Sequence, residues 1–229
     1  VEVDNPEPIV GDITVPSTEE IKRRALDTYA MQNRAVTSQD YQAAVYSMPA
    51  QFGAVKRCSV VRDVDSGRRN LKMIVTSEDA NGNFIGTNQT IKNNLRNYMN
   101  NIKMINDSID IVDAKIVNIG IEFEIRVERE VNKTDVYVKC VDEIVEELEV
   151  PKQIGEPFYL TDITRVLKNV DGVNDVMFVR VNNKVGGVYS DEEHDTRANI
   201  SREGTILSVE DDMVLEVKYP YADIVGNVR

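Results

Sequence analysis

The chain has no tryptophan, one histidine (His194), two cysteines and only 6% aromatic residues in 229. A lone histidine removes the commonest general base from all but one position, and it rules out zinc sites that need several imidazoles. Two cysteines cannot form the framework of a disulfide-stapled domain. Cys58 and Cys140, placed in a strand and a helix, are expected as buried free thiols. No stretch approaches the ~20 consecutive apolar residues of a membrane-spanning helix, and no basic-then-apolar leader opens the chain. Positive charge is also scarce, with 27 Lys and Arg against 39 Asp and Glu, a formal charge of −12. Nucleic-acid binding gains its affinity by releasing counterions from phosphates, and the basic runs Lys22-Arg23-Arg24 and Arg68-Arg69 are too short to supply it. Gly-x-Ser-x-Gly, Walker and dinucleotide-binding motifs are missing too.

What is present is regular α and β patterning. Residues 1–16, with three prolines and several acids, read as an extended arm or linker. Ser17 and Glu20 form a capping box for a helix through Ile21, Ala25, Leu26 and Tyr29, ending near Asn33. Thr37 and Asp40 open a second helix, closed by Pro49 and Gly53. Strands are expected at Val55 to Val61 and Leu71 to Thr76, joined by a turn over Asp63 to Arg69. A helix starting at Thr87 or Asn88 places Ile91, Leu95, Met99 and Ile102 on one stripe. From Ile109 the period becomes two, with Ile119, Ile121, Phe123, Ile125 and Val127 alternating with mostly charged residues. That is a sheet with one face on a core and one in water. A helix follows over Asn132 to Val150. Thr161 and Asp162 cap another, and Val170 to Val176 leads into a strand at Met177 to Val181. The tail holds short strands around Ile206 to Val209 and Met213 to Tyr219.

The expected class is α+β: two small mixed or antiparallel sheet units with covering helices, plus a β-rich C-terminal tail. The divisions fall at 1–16 (arm), 17–108 (first domain), 109–183 (second domain) and 184–229 (polar loop and terminal strands, an oligomerisation segment).

Candidate chemistry is thin. Asp79-Ala80-Asn81-Gly82-Asn83 mimics the first half of a calcium loop, but Phe84 and Thr90 stand where the loop needs Gly and a bidentate Glu. A polar turn is expected instead. His194, within Asp191-Glu192-Glu193-His194-Asp195, is expected in a solvated acidic loop. Glu143, Glu146, Glu147 and Glu149 form the wet side of an amphipathic helix. No catalytic residue, cofactor or metal is expected.

One run carries a likeness. Asn33-Arg34-Ala35-Val36-Thr37-Ser38-Gln39-Asp40-Tyr41, followed by Pro49 and Gly53-Ala54-Val55, resembles the central signature of the baseplate J-like proteins of contractile phage tails. The order of later elements through Gly155-Glu156-Pro157-Phe158-Tyr159-Leu160 and Gly172-Val173 is also similar. Within that family the chain looks most similar to the C-terminal region of the wedge component that forms the inner ring of T4-like baseplates. In the motif, Arg34 is suited to fix a turn, Thr37 with Asp40 to cap a helix, Tyr41 to bury a ring with one polar handle, and Gly53 to make a tight turn, while Ala35 and Val36 complete the signature.

The resemblance implies a non-enzymatic building block of the virion tail baseplate, assembled in the bacterial host cytoplasm. It implies homodimerisation, ring-forming self-association, contacts with other wedge proteins and the sheath-initiating protein, and transmission of a rearrangement to the sheath. No nucleic-acid or direct membrane contact is implied. Ile206, Leu207 and Leu215 are the expected oligomer contact, and the first helices are expected to pack inside a wedge. The alternatives are a related contractile injection or secretion machine and, more remotely, an acidic-cleft enzyme.

Overall fold

The computed structural model describes residues 17–63, 70–148 and 152–229. The expected arm at 1–16, the turn between the first two strands and the end of the Asn132 to Val150 helix lie outside or partly outside these residues. The chain is α+β and divides into two units, one through Ala114 and the other from Lys115. That division differs from the expected one at 108, because the strand after Ile109 splits at Ala114. Its first part pairs with the first sheet and its second part founds the next.

In the first unit, α1 (Thr18–Met31) and α2 (Ser38–Tyr46) both begin with capping boxes, at Ser17/Glu20 and Thr37/Asp40. Each such cap is worth about 1 kcal/mol. The strand β1 (Arg57–Asp63) pairs antiparallel with β2 (Asn70–Glu78), and the far end of β2 meets β3 (Phe84–Ile85), which the sequence reading did not anticipate. After α3 (Gln89–Met99), β4 (Ser108–Asp113) lies parallel to β2. Ile91, Leu95 and Met99 of α3 meet Met73 and Val75 of β2 and Tyr41, Ala44 and Val45 of α2 in one core.

In the second unit the 13-residue β5 (Lys115–Val127) is the central strand. It pairs antiparallel with β7 (Val173–Asn183), and parallel with β9 (Met213–Glu216) and β10 (Ile224–Val228). Helices α4 (Lys133–Leu148) and α5 (Leu160–Asn169) contribute Val136, Cys140, Ile144, Ile163 and Leu167 to a core shared with Val117 to Val127 of β5. The expected wet face is dry along much of its length: Asn118 and Gly120 are buried, and so is Glu124, which is ion-paired with Arg229.

Thr161 is not the cap of α5. The helix starts one residue earlier because Tyr159 is held in β6 (Phe158–Tyr159) against β8 (Ile206–Leu207), and the Leu160 N–H donates to the Thr205 carbonyl at 2.9 Å. A tertiary strand contact thus overrides the local capping signal. The 184–229 segment is likewise not a detached tail. Strands β9 and β10, joined by the short helix α6 (Pro220–Asp223), complete the sheet on β5.

Both cysteines are buried and free. Burial raises the Cys140 thiol to about 11 and pushes that of Cys58 up further. No helix among the described residues is long and apolar enough to cross a membrane.

Candidate assembly surfaces

The conspicuous run from Asn33 to Tyr41 is the connection between α1 and α2. Gln32 and Asn33 both take left-handed backbone conformations, φ 50° and 59°, which stop α1 without a glycine. Arg34 N–H then donates to Met31 O at 3.1 Å, and Ala35 N–H to Ile102 O at 3.2 Å, fixing the turn to the end of α3. Ala35 is fully buried, where any larger side chain would collide with packed neighbours. The Asp40 carboxylate accepts from the N–H groups of Val36 (3.0 Å) and Thr37 (2.8 Å). Burial pushes that carboxyl up, but these bonds more than offset it and hold it below its ordinary value.

Tyr41 is buried with its hydroxyl donating to Asp107 Oδ2 at 2.6 Å and accepting from Met104 N–H at 3.2 Å. Burial first, and the Asp107 bond second, raise it to about 12. Gly53 sits at φ 97°, closing the 3-10 turn Ala50–Phe52. These side chains brace a junction rather than activate anything. Of the exposed residues of this run, Val36 is apolar and Arg34 has a side chain with no hydrogen bond or ion pair among the described residues. Val36 and Tyr41 also line a cleft of about 280 Å³ with Arg62, Leu71, Met104 and Asp107.

Helix α1 turns its polar side, not its apolar stripe, toward the rest of the first unit. Its inward stripe is Glu20, Arg24, Asp27 and Met31. Glu20 pairs with the buried Arg57 at 3.0 Å, Arg24 lies 4.5 Å over the Tyr46 ring, and Asp27 accepts from Gln39 at 2.9 Å. The apolar Ile21, Leu26 and Tyr29 point outward, 52%, 71% and 82% exposed.

The C-terminal expectation fares differently. Leu207 and Leu215 are 1% and 4% exposed, in the core of the second unit, and Ile206 is half-buried in β8. The two leucines face this core because β8 pairs with β6 and β9 with β5, so they offer no free surface to another copy.

The remaining candidates resolve into structural features. Asp79 accepts from the N–H groups of Asn81 and Asn83, both at 2.8 Å, which makes the expected polar turn. His194 departs from expectation. Its acidic neighbours are exposed, but its own ring is buried and within 2.8 Å of the Ser208 carbonyl, which anchors the loop. A second anchor that the sequence did not suggest is the buried Asp223 carboxylate. It accepts from Tyr189 Oη at 2.6 Å and Tyr219 N–H at 2.9 Å, with Lys184 Nζ 3.7 Å away. Such pairings join residues ~30 positions apart and leave no periodic signal. Among the described residues no group of three or more His, Cys, Asp or Glu is placed to hold a metal ion.

No family model matches the chain, and no curated protein matches it. Its fold is similar to that of a chain in the cryo-EM structure of the anti-feeding prophage (AFP) baseplate, 6-fold symmetrised, with a TM-score of 0.50 and 10% identity. The match covers 93% of this chain and 42% of that one, so the chain spans less than half the length of the protein it resembles. At that identity the likeness is one of fold, a baseplate-like architecture running through both units.

Proposed function

We propose that this chain is a structural, non-enzymatic component of the baseplate of a contractile injection system. The observation that carries the reading is the extent of the fold likeness to the AFP baseplate chain, 93% of the sequence rather than one common motif. The internal organisation fits such a role, since the polar groups of the Asn33 to Tyr41 run and of the Asp223 cluster brace turns and helix ends. Under this reading the chain works through contact area and rigidity.

A phage tail wedge is the finer reading, supported by the Asn33 to Tyr41 signature. It brings the inner-ring position of T4-like tails, homodimerisation, contacts with other wedge proteins and a sheath-initiating protein, and relay of a baseplate rearrangement to the sheath. The virion tail is then the site of action and the host cytoplasm the site of assembly. With Leu207 and Leu215 in the core, self-association through the C-terminal region would rest on Ile206 and the exposed residues around it.

The test is to introduce a tagged copy of the chain into the source of the particles, purify contractile particles, and locate the tag by cryo-EM. Density at the baseplate end supports the proposal. Particles with complete baseplates that lack the chain, or a tag along the sheath, would overturn it. Light scattering of the full chain over a concentration series separately tests self-association, because a specific contact obeys mass action.

A further inference from the structure

We infer that the outward face of α1 docks an amphipathic helix of a different protein, one whose apolar stripe is flanked by acidic side chains. The inference rests on the polarity of this helix and stands apart from the baseplate reading.

A surface helix ordinarily turns its apolar stripe to the core and its charges to water. Helix α1 does the reverse, and its orientation is fixed by the Glu20–Arg57 pair, the Arg24–Tyr46 stack, the Asp27–Gln39 bond, a Thr28–Ser47 bond at 3.0 Å and the buried Met31. Rolling the helix to hide Ile21, Leu26 and Tyr29 would break all of these together and take the Glu20 carboxylate away from Arg57, which is 1% exposed. The apolar face is therefore held outward. With Ala25 it covers an arc of roughly 140° at about 100° per residue, a width suited to a groove or bundle rather than a narrow two-helix seam, and Lys22 falls inside that arc between Tyr29 and Leu26.

Charge selects the occupant. The acids Glu20 and Asp27 are turned in and engaged, whereas Lys22 and Arg23 are outward and exposed, and neither they nor Arg34 in the following turn has an ion pair among the described residues. Glu19 is the one outward acid of the helix. An apolar face that carries Lys22 within it and Arg23 beside it, against the single acid Glu19, favours acidic side chains on the helix opposite.

A second copy of α1 does not meet that need, because it would bring Lys22 and Arg23 against their own kind. The stripe from Ile21 to Tyr29 is also only about 12 Å long at ~1.5 Å per residue, too short for the ~800 Å² per partner of a stable dimer. A foreign helix that belongs to a larger contact satisfies both conditions, with Tyr29 and Leu26 as anchors.

The probe is a fluorescent synthetic helix of about 20 residues, long enough to form in water, with a Leu/Ala stripe flanked by Glu. A matched peptide carries Lys at the flanking positions, and both are titrated with the full chain. The Glu-flanked peptide is expected to bind at least about tenfold tighter, and added salt is expected to narrow the gap. The pair Leu26→Asp with Tyr29→Ser should weaken binding by about tenfold or more, and Lys22→Glu with Arg23→Glu should reverse the preference. All four side chains are exposed, so unchanged thermal unfolding is the expected control. Equal affinity for the two peptides, no binding to either, or binding indifferent to these substitutions would overturn the inference. So would a concentration-dependent dimer of the unmodified chain that Leu26→Asp abolishes, since that assigns the face to a second copy.

Discussion

The two units use the same ingredients, a sheet with covering helices, but they dispose of helical apolar stripes differently. In the second unit Val136, Cys140, Val141 and Ile144 of α4 all descend onto β5, where Phe123 stacks on Tyr137 with ring centroids 6.2 Å apart. In the first unit α3 behaves in the same way, but α1 is attached by charges and keeps Ile21, Leu26 and Tyr29 outside. A 3.6-residue apolar period therefore reports that a face is suited to burial. It does not report that the burying body is the same chain.

The contrast can be broken or sharpened by substitution, read out by denaturant unfolding except where stated. Phe123→Ala should produce the largest change, a loss of about 3–5 kcal/mol in the second unit, because the ring is fully buried. A loss below about 1 kcal/mol would show that this core is looser than its packing. Gly226→Ala should cost about 1–3 kcal/mol by overpacking, since an added Cβ would lie 2.3 Å from Phe123 Cζ, and the same change in a Phe123→Leu background should cost less.

In the first unit, Glu20→Gln should cost roughly 1–2 kcal/mol by leaving Arg57 with a weaker partner. Burial raises the Glu20 carboxyl, but Arg57, the Ser17 N–H, Arg24 and Lys56 outweigh it and hold it below its ordinary value. Its contribution is therefore present above the unfolded pKa and lost as the pH falls through the folded one. Stability measured from pH 7 down to pH 3 should fall less steeply in the variant than in the parent.

Tyr41→Phe should cost about 1 kcal/mol. With the folded phenol raised to about 12, its contribution is full below pH ~10 and lost as the pH rises from there through the folded value. Ultraviolet titration of the nine tyrosines should show a late-ionising group, to which Tyr46, raised chiefly by burial, and Tyr189, raised chiefly by its bond to Asp223, also belong. Tyr41→Phe should remove one member of that group. Leu26→Ser is the smallest expected change, within about 0.5 kcal/mol. A larger loss would mean that α1 spends its stripe inside the chain after all, and the contrast between the units would vanish.

Local signals were legible and long-range ones were not. Both capping boxes, the α3 stripe and the alternation of β5 are written in adjacent residues, and the helices and strands appeared where these placed them. Strand β10 carries almost no pattern, because Gly226 interrupts it and its partner Phe123 lies across the sheet. Likewise Asp107 as the acceptor for Tyr41 is 66 positions away, and Asp223 as the acceptor for Tyr189 is 34 away. The apolar period of α1 is genuine, but it does not say which side the chain itself holds; the partners Arg57, Tyr46, Gln39 and Ser47, scattered through the sequence, decide that. His194 misled for the same reason, since a string of acids describes its neighbours and not its own ring.

The parallel pairing of β10 with β5 also sets an order of events during synthesis. The first sheet can close once Asp113 has left the ribosome, since its strands end there. Strand β5 emerges immediately afterwards, yet the register joins Ile121 to Ile224, so its edge waits for about a hundred more residues. At ~5–20 residues per second that is an interval of roughly 5–20 seconds in which one edge of β5 stands open after the first sheet can have closed. The nascent second unit is therefore the stage at which a chaperone, or a neighbouring chain on the same messenger, has most to gain by binding.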